Sequence, residues 1–376
     1  MTSNLIKNIS YFTIGRLSVT GLQTLFYFVI AFLVIPETFG EISYLISLAG
    51  TVSVISRFGF TNTIIVLHGK SNNKFVQEAN LLSAILITIG SIILIPINEY
   101  AAIFCFGFSL YQMNQFNLIG LKHYKKFMYN GILKGILIVI LPITLYFILD
   151  IGGVLLGMAL GNLLASTNFI KSIMRKFEGF SEIRKNIHVI IHNFSVDISP
   201  SVTRYVDKLI IVPFFGFTFA GIYQFNIQIL LLFEILPQGI HAFFLSEESS
   251  GKVPKKIYYY LIVGTTILVI IGITIIPILI EMFLPNYSIG TLGLQILMLS
   301  LFPLTFASIL NAKLQASQST KVGYTSPVRI GLLLILIPIL GNSYGLEGLS
   351  IAIFVSSLAF AVILYLIYKM EKRIFQ

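Results

Sequence analysis

The sequence predicts an all-α integral membrane protein with about 12 transmembrane helices, and three observations lead to that prediction. The first is the scarcity of charge, since Lys, Arg, Asp and Glu make up 11% of the 376 residues, against about a quarter in a soluble protein. The second is the apolar content of 56%, more than a soluble fold of one or two domains can bury. The third is the recurrence of apolar runs of bilayer-spanning length along the chain. Together they exclude a soluble enzyme, a disulfide scaffold and a disordered chain.

Twelve apolar runs define the predicted helices. Each run is apolar around most of its circumference, which is typical of a helix in lipid, and none shows the alternation of a barrel strand. We predict the helices at 9–34, 41–66, 79–97, 100–121, 127–149, 151–172, 190–213, 217–245, 257–283, 290–312, 327–343 and 347–368.

The charges in the connections predict the orientation. Most of the 25 Lys and Arg residues fall in every second connection, whereas the intervening ones carry acids such as Glu37, Glu99 and Glu347. Because basic connections face the cytoplasm, we predict a multi-pass protein of the plasma membrane with both termini in the cytoplasm. This placement accounts for most of the net charge of +10, so no nucleic-acid partner is expected.

A basic segment at 173–189 divides the chain into two halves of six helices, 1–172 and 190–376. The segment itself is predicted to be an amphipathic surface helix or a simple tether. The halves resemble each other weakly: Phe39-Gly40-Glu41-Ile42 matches Phe219-Ala220-Gly221-Ile222, and the run ending at Pro142-Ile143 matches the run ending at Pro338-Ile339. Repeats with an even number of helices share one topology, so we predict two pseudo-symmetric lobes that rock around a cavity in alternating access. This favours a transporter over a membrane enzyme.

Charged residues inside the predicted helices indicate the ligand. The bases are Arg16, Arg57, Lys134, Arg204 and Lys208, and the acids are Asp197, Asp207 and Glu234. Each base costs roughly 2.5–3.5 kcal/mol at the bilayer centre, so these side chains should face water or a counter-charge. Their excess argues for an anion, and both Arg and Lys bind phosphate. For Arg16, Arg57 and Lys134, snorkelling toward the cytoplasmic surface is the alternative.

Polar residues form stripes on the first and seventh helices. Steps of 100° per residue place Asp197, Ser201, Arg204 and Lys208 on one side of helix seven, and Gln23 lies on a similar stripe of helix one. Both stripes are expected to line the cavity, where hydroxyls and amides suit sugars; an interhelical hydrogen-bond seam is the alternative. The predicted substrate-binding residues are Arg16, Gln23, Arg57, Lys134, Ser201, Arg204 and Lys208. The acids Asp197, Asp207 and Glu234 are candidates for coupling to a proton or sodium gradient, or for structural ion pairs.

The sequence predicts neither a catalytic site nor a metal site, and no cofactor. The five His residues lie in or near the inner connections, and only His188 and His192 have helical spacing, which solvated side chains explain better than metal ligation. No glycine-rich phosphate loop, nucleophile elbow or cysteine cluster occurs. We therefore expect that the chain is not an enzyme.

Short motifs resemble a known family. Asp207-Lys208-Leu209-Ile210-Ile211, Phe214-Phe215-Gly216 and Ala220-Gly221-Ile222-Tyr223 are similar to the seventh-to-eighth helix region of polysaccharide flippases. These are the O-antigen-type exporters of the multidrug/oligosaccharidyl-lipid/polysaccharide superfamily. The resemblance implies a V-shaped bundle of two lobes. It also implies transport of a polyprenyl-(pyro)phosphate-linked oligosaccharide for cell-surface polysaccharide biosynthesis, with other polysaccharide-assembly proteins as partners.

Two other functions stay open from the sequence. A drug or metabolite antiporter of the same superfamily would use central carboxylates to exchange ions for a cationic substrate, which the basic excess disfavours. A membrane glycosyltransferase or polymerase would need acidic or metal-binding motifs and usually a large outer loop, and the sequence has neither.

Overall fold

A computed structural model describes residues 2–68, 73–173, 179–234, 255–316 and 325–374, without the side chains of 195–203 and of some other residues near the gaps. All regular structure in these ranges is helical. The helices are α1 (Thr2–Leu33), α2 (Pro36–Ser56), α3 (Phe60–His68), α4 (Asn73–Leu94), α5 (Glu99–Gly120), α6 (Tyr124–Leu164), α7 (Thr167–Ile173), α8 (Ser181–Lys185), α9 (Ile187–Phe233), α10 (Lys255–Phe283), a 3₁₀ helix (Pro285–Gly290), α11 (Thr291–Met298), α12 (Leu301–Ala316) and α13 (Thr325–Ile374).

Eight helical segments of the described chain are long and apolar enough to cross a membrane. Three of them contain a sharp backbone break, at Leu149–Asp150 in α6, at Gly216 in α9 and at Gly345 in α13. These breaks coincide with the predicted connections between helices five and six, seven and eight, and eleven and twelve. With α5 added, each of the twelve predicted helices has a counterpart in the described ranges, and the prediction of an all-α multi-pass membrane protein is confirmed.

The chain forms two compact units. The first contains residues 1–30 and 41–206, and the second contains 31–40 and 207–376. This division follows packing and differs from the predicted lobes 1–172 and 190–376, which follow the sequence repeat. The lobe boundaries stay a prediction.

Close glycine contacts join α1 to the first part of α6 within the first unit. A Cβ at Gly131 would lie 3.0 Å from the carbonyl oxygen of Gly15, and one at Gly135 would lie 2.5 Å from Leu22. Gly131 and Gly135 form a G-x-x-x-G pattern, which lets helices in lipid approach until their backbones touch. The contact places Lys134, between these glycines in sequence, on a helix held tightly against α1.

The predicted linker helix is short and rests on the first unit. In α8, Ile183 is buried in a core with Phe60, Phe75 and Phe169, whereas Phe180 is exposed. The carboxylate of Glu78, on α4, accepts hydrogen bonds from the Ile183 backbone N–H at 3.0 Å and from the Ser181 hydroxyl at 3.4 Å. Buried Glu78 thus satisfies donors at the start of α8, as a capping side chain does. An amphipathic helix over 173–189 would carry Phe177 on the same apolar face as Phe180 and Ile183, and Phe177 lies outside the described residues.

The hairpins α6 and α13 repeat one another in detail. Asp150 turns the first with φ 49° and ψ −133°, and Gly345 turns the second with φ 59° and ψ −132°. Three residues later, Gly153 and Gly348 each press against a backbone carbonyl of the preceding helix, that of Leu145 and that of Leu340. Two equivalent turns with the same close contact support the duplication, and they match Asp150 to Gly345. The sequence match of Pro142 with Pro338 was therefore displaced by one residue.

A reciprocal crossing within the second unit reveals another repeat pair. A Cβ at Gly40 would overlap the carbonyl oxygen of Phe217, and a Cβ at Gly221 would overlap that of Pro36. The segments 36–40 and 217–221 thus contact each other as two copies do across a two-fold axis, where residue i meets j and j meets i. This matches Gly40 to Gly221, again one residue away from the match read from the sequence.

Candidate functional site

The first unit gathers several of the predicted bases into a cluster that we call the basic cluster: Arg16 on α1, Lys134 on α6 and Arg204 on α9. Arg204 lies close enough to Arg16 and to Lys134 for its positive charge to repel theirs. Arg16 is exposed and lies 5.7 Å from the Phe12 ring centre, and Arg204 is exposed as well. Like charges repel, so three bases from three helices form a stable group only where an anion or water offsets them.

Lys134 is the most deeply placed member of the basic cluster, with 4% of its surface exposed. Its ammonium lies 4.9 Å from the ring centre of Tyr111 on α5, a cation–π contact. No carboxylate of the described residues pairs with it, and the charge that acts on it is that of Arg204. Among the described residues, this buried ammonium therefore has the Tyr111 ring as its partner and no counter-anion, an arrangement that is costly in a membrane helix.

Arg57 has a different environment from the basic cluster. It follows the last residue of α2 and is 8% exposed, and its Nε donates to the Ser53 carbonyl at 3.1 Å. The chain then turns through Phe58 and Gly59, both with positive φ, before α3 begins. The Ser53 carbonyl also accepts the backbone N–H of Arg57 at 3.2 Å, so the side chain adds a second hydrogen bond at the end of α2, where a positive charge complements the helix dipole. This favours a structural role beside the predicted substrate contact.

Tyrosines connect Arg57 to the basic cluster. Tyr205 of α9 lies within reach of the positive charges of both Arg57 and Arg204. Its ring packs over Gly50 of α2. Tyr27 of α1 is buried, and its hydroxyl interacts with Gln23, a predicted sugar contact. The polar stripe of α1 that contains Gln23 therefore lies beside the basic cluster. Ser201 and Asp197, predicted on the facing stripe, have side chains outside the described residues.

Lys208 and Asp207 lie in the second unit and neutralise each other. The Lys208 ammonium is 2.8 Å from the Asp207 carboxylate, and the Tyr223 hydroxyl donates to the other oxygen at 2.8 Å. Both residues are at least 95% buried. Truncating one partner of such a buried pair leaves the other charge uncompensated, so the arrangement favours a structural pair. Their predicted roles in substrate binding and ion coupling stay predictions.

Arg329 lies inside α13 and near the start of the predicted helix 327–343, but it is not among the bases that the sequence singles out. Its guanidinium donates to Ser357 at 3.4 Å and lies 5.5 Å from the Phe360 ring centre, while its buried Nε has no hydrogen-bond partner in the described chain. The negative charges of Asp207 and Glu234 attract the positive charge of Arg329. The match of Asp150 to Gly345 also matches Lys134 to Arg329, so each hairpin carries a base at the same position. That alignment was the signal that could have revealed it.

The two equivalent bases differ in their surroundings. In the second unit, Arg329 and Lys208 are balanced by Asp207 and Glu234, both of which were predicted as coupling acids. In the first unit, no described carboxylate acts on Arg16 or Lys134. The described carboxylates thus balance the bases of the second unit, and none of them balances Arg16 or Lys134. Within the described residues, no group of three His, Cys, Asp or Glu side chains could hold a metal ion.

Comparison with known proteins shows the fold. No family model matches the chain. An uncharacterized membrane protein of Methanocaldococcus jannaschii is 25% identical and covers 99% of this chain, and the match covers 100% of that protein. The solved structure of lipid II flippase MurJ in an inward closed conformation is 16% identical with a TM-score of 0.75, covering 95% of this chain and 87% of MurJ. An inward-facing multidrug resistance transporter of the MATE family, of the MOP superfamily, gives a TM-score of 0.69 at 16% identity, covering 97% and 98%.

This chain has the fold of these transporters. The match extends over nearly the whole length of each chain, so the fold prediction is confirmed well beyond its helical content. MurJ is named for lipid II, and the MATE transporter is named for multidrug resistance, so proteins with this fold differ in what they transport.

Proposed function

We propose that this chain translocates a polyprenyl-(pyro)phosphate-linked oligosaccharide across the plasma membrane for cell-surface polysaccharide biosynthesis. The observation that carries the proposal is the basic cluster, in which Arg16, Lys134 and Arg204 gather without a described carboxylate acting on Arg16 or Lys134. A diphosphate offers several oxygens and at least two negative charges. It can therefore neutralise the cluster and accept its hydrogen bonds at once.

The proposed mechanism is alternating access. Arg16 and Arg204 bind the diphosphate from the exposed side of the basic cluster, and Lys134 binds from the buried side. The glycan follows the polar residues Gln23 and Ser201, while the polyprenyl chain stays in lipid. Asp197, Asp207 and Glu234 remain the candidates for coupling to protons or sodium ions. Other polysaccharide-assembly proteins would supply and consume the substrate.

A drug or metabolite antiporter is the second candidate, because the MATE transporter fold supports it equally. A cationic drug needs carboxylates in its site, and the described carboxylates of the second unit, Asp207 and Glu234, act on bases of the chain itself. The basic cluster would repel a cation. The charges thus favour an anionic substrate, and the proposal that the chain is not an enzyme stands with either transporter.

Complementation of a flippase-deficient bacterial strain tests the proposal. We expect the chain to restore surface glycan and to clear the accumulated lipid-linked precursor. Arg204→Ala should lower restoration at least tenfold at equal membrane level. Arg184→Ala, which removes an exposed Arg from α8, is the matched control.

Two outcomes would contradict the proposal. The site assignment fails if Arg204→Ala exports glycan at the wild-type rate. The function fails if the chain leaves the precursor in place and instead confers resistance to cationic drugs.

A further inference from the structure

Several buried amides of α5 and α6 have an atom without a hydrogen-bond partner, and in two of them that atom is the N–H donor. Gln115 on α5 is 5% exposed, and neither its Nε2 nor its Oε1 has a hydrogen-bond partner among the described residues. The Nδ2 of Asn130 on α6 is buried and unpartnered as well. More than nine buried polar groups in ten are paired in proteins, so two such amides in one hairpin indicate a missing ligand.

The hairpin register brings these amides to Lys134. The helices α5 and α6 run antiparallel through a short turn at 121–123, and the Lys134 ammonium lies over the ring of Tyr111. Gln115 and Asn130 each lie one helical turn nearer to that connection than Tyr111 and Lys134, and a step of one turn keeps a side chain on nearly the same face of its helix. The Tyr111 hydroxyl interacts with the Gln115 side chain, although no contact between them meets the distance and angle of a full hydrogen bond. Tyr111 therefore touches both the ammonium and the amide.

The group is rich in donors and has no negative charge. Lys134 and the two amide nitrogens provide buried N–H donors, whereas Gln115 Oε1 is the unpartnered acceptor. Each unpartnered buried polar group costs about 1–3 kcal/mol, and a buried charge costs more. A water molecule could satisfy donors without balancing the ammonium. An oxyanion does both.

We propose that Gln115, Asn130 and Lys134 form a buried phosphoryl subsite, which binds one phosphate of the lipid-linked diphosphate. The inference rests on the proposed function and names the part of the site that grips the headgroup. Lys134 supplies the charge, and the amides donate to phosphoryl oxygens. Arg16 and Arg204, which are exposed members of the basic cluster, are left for the second phosphate. The amides thus set specificity for a phosphorylated lipid and are positioned by the hairpin itself.

Binding of farnesyl diphosphate to the purified full chain in phosphatidylcholine nanodiscs tests the subsite, with isothermal titration calorimetry as readout. Farnesol and inorganic pyrophosphate serve as comparison ligands. We expect farnesyl diphosphate to bind, farnesol to bind at least tenfold more weakly, and pyrophosphate to bind more weakly than the lipid. Gln115→Leu should weaken farnesyl diphosphate binding about tenfold, which corresponds to the loss of about 1.4 kcal/mol. Gln112→Leu, which removes a half-buried amide one turn before Gln115 on α5, should leave it unchanged.

Gln115→Glu gives a second, opposite signature. Its carboxylate would lie beside the Lys134 ammonium and occupy the place of the phosphate. We therefore expect this variant to lose farnesyl diphosphate binding while its unfolding temperature rises. A merely structural role for Gln115 would not produce both effects together.

These measurements distinguish failure of the phosphoryl subsite from failure of the proposed function. If Gln115→Leu and Gln115→Glu bind as the wild type does while Arg204→Ala binds weakly, the subsite is wrong and the proposed function stands. If the wild-type chain does not bind farnesyl diphosphate, both are wrong. If pyrophosphate binds as tightly as the lipid, the ligand is a free anion and the lipid-linked assignment is overturned.

Discussion

Two buried lysines of this chain have opposite surroundings, and that contrast predicts opposite effects on stability. Lys208 is paired with Asp207 at 2.8 Å, whereas Lys134 faces the Tyr111 ring and has no carboxylate partner among the residues that the structure describes. Lys208→Met removes the ammonium from a buried carboxylate, which keeps only the hydrogen bonds from the Tyr223 hydroxyl and the backbone N–H of residue 208 and the attraction of Arg329. This variant should destabilise the fold by about 3–5 kcal/mol. Lys134→Met removes an uncompensated buried charge and should keep or raise stability while abolishing diphosphate binding. Residues that bind ligands are often less than optimal for stability.

The single cysteine provides the measurement. Cys105 is fully buried, so a thiol-reactive dye reports the temperature at which the chain unfolds. Lys208→Met should react at a lower temperature than the wild type, and Lys134→Met should not. The opposite order would show that Lys134 is structural and that the account of the basic cluster is wrong.

At the residue scale, the sequence predicts the charged members of the site better than the neutral ones. Arg16, Lys134 and Arg204 could be selected because a base inside an apolar run is costly wherever it occurs. Gln115 could not be selected, since buried amides are common in membrane helices as interhelical hydrogen-bond partners. Its significance lies in the absence of such a partner, which only the packing reveals. Arg329 was missed because it lies near the start of an apolar run, where a base resembles part of a connection.

The turns of the two long hairpins predict a pair of mirrored substitutions. Asp150 and Gly345 have nearly the same dihedral angles, in a region with positive φ that glycine adopts at little cost. Asp150→Gly should therefore stabilise the chain by about 1 kcal/mol, and Gly345→Asp should destabilise it by about 1–3 kcal/mol. Thermal unfolding monitored at Cys105 compares the two. Equal and small effects in both variants would contradict the equivalence of the turns.

The contact between α4 and α8 predicts how the linker is held. The Glu78 carboxylate accepts from Ile183 and Ser181, so Glu78→Ala leaves donors of α8 unpaired. We expect trypsin to cleave at Arg184 and Lys185 several times faster in this variant. Glu99→Ala, which removes an exposed acid, is the control. Unchanged cleavage in Glu78→Ala would mean that Ile183 alone holds the linker.

Elements and their connections were largely predictable, and the exceptions have a physical reason. Helices five to six, seven to eight and eleven to twelve are joined where Asp and Gly interrupt apolar runs. The break between α2 and α3 was not predicted, because Phe58 and Gly59 lie within one apolar run, 41–66. The crossing of Gly59 with the Ile190 carbonyl and the Phe194 backbone accompanies that break, and sequence periodicity does not report such tertiary contacts.

For the molecule as a whole, the reciprocal crossing of 36–40 and 217–221 predicts which glycines can be replaced by alanine without loss of stability. Gly40→Ala or Gly221→Ala would drive a methyl group into a backbone carbonyl and should destabilise the chain by at least about 1–3 kcal/mol. Gly21, in α1, has open space where its Cβ would lie, so Gly21→Ala should be neutral or stabilising by up to about 1 kcal/mol. A neutral effect at Gly40 and Gly221 would contradict the crossing.

The central claim concerns the whole molecule, namely transport of a lipid-linked diphosphate driven by recognition at the basic cluster. The most direct measurement is translocation of a fluorescent prenyl-diphosphate sugar across proteoliposomes that contain the purified chain, read by quenching from outside. The account predicts translocation by the wild type, by Gln112→Leu and by Arg184→Ala. It predicts loss of at least tenfold in rate for Arg204→Ala and Lys134→Met at equal reconstitution. Wild-type rates in both of the latter variants, or no translocation by the wild type, would contradict it.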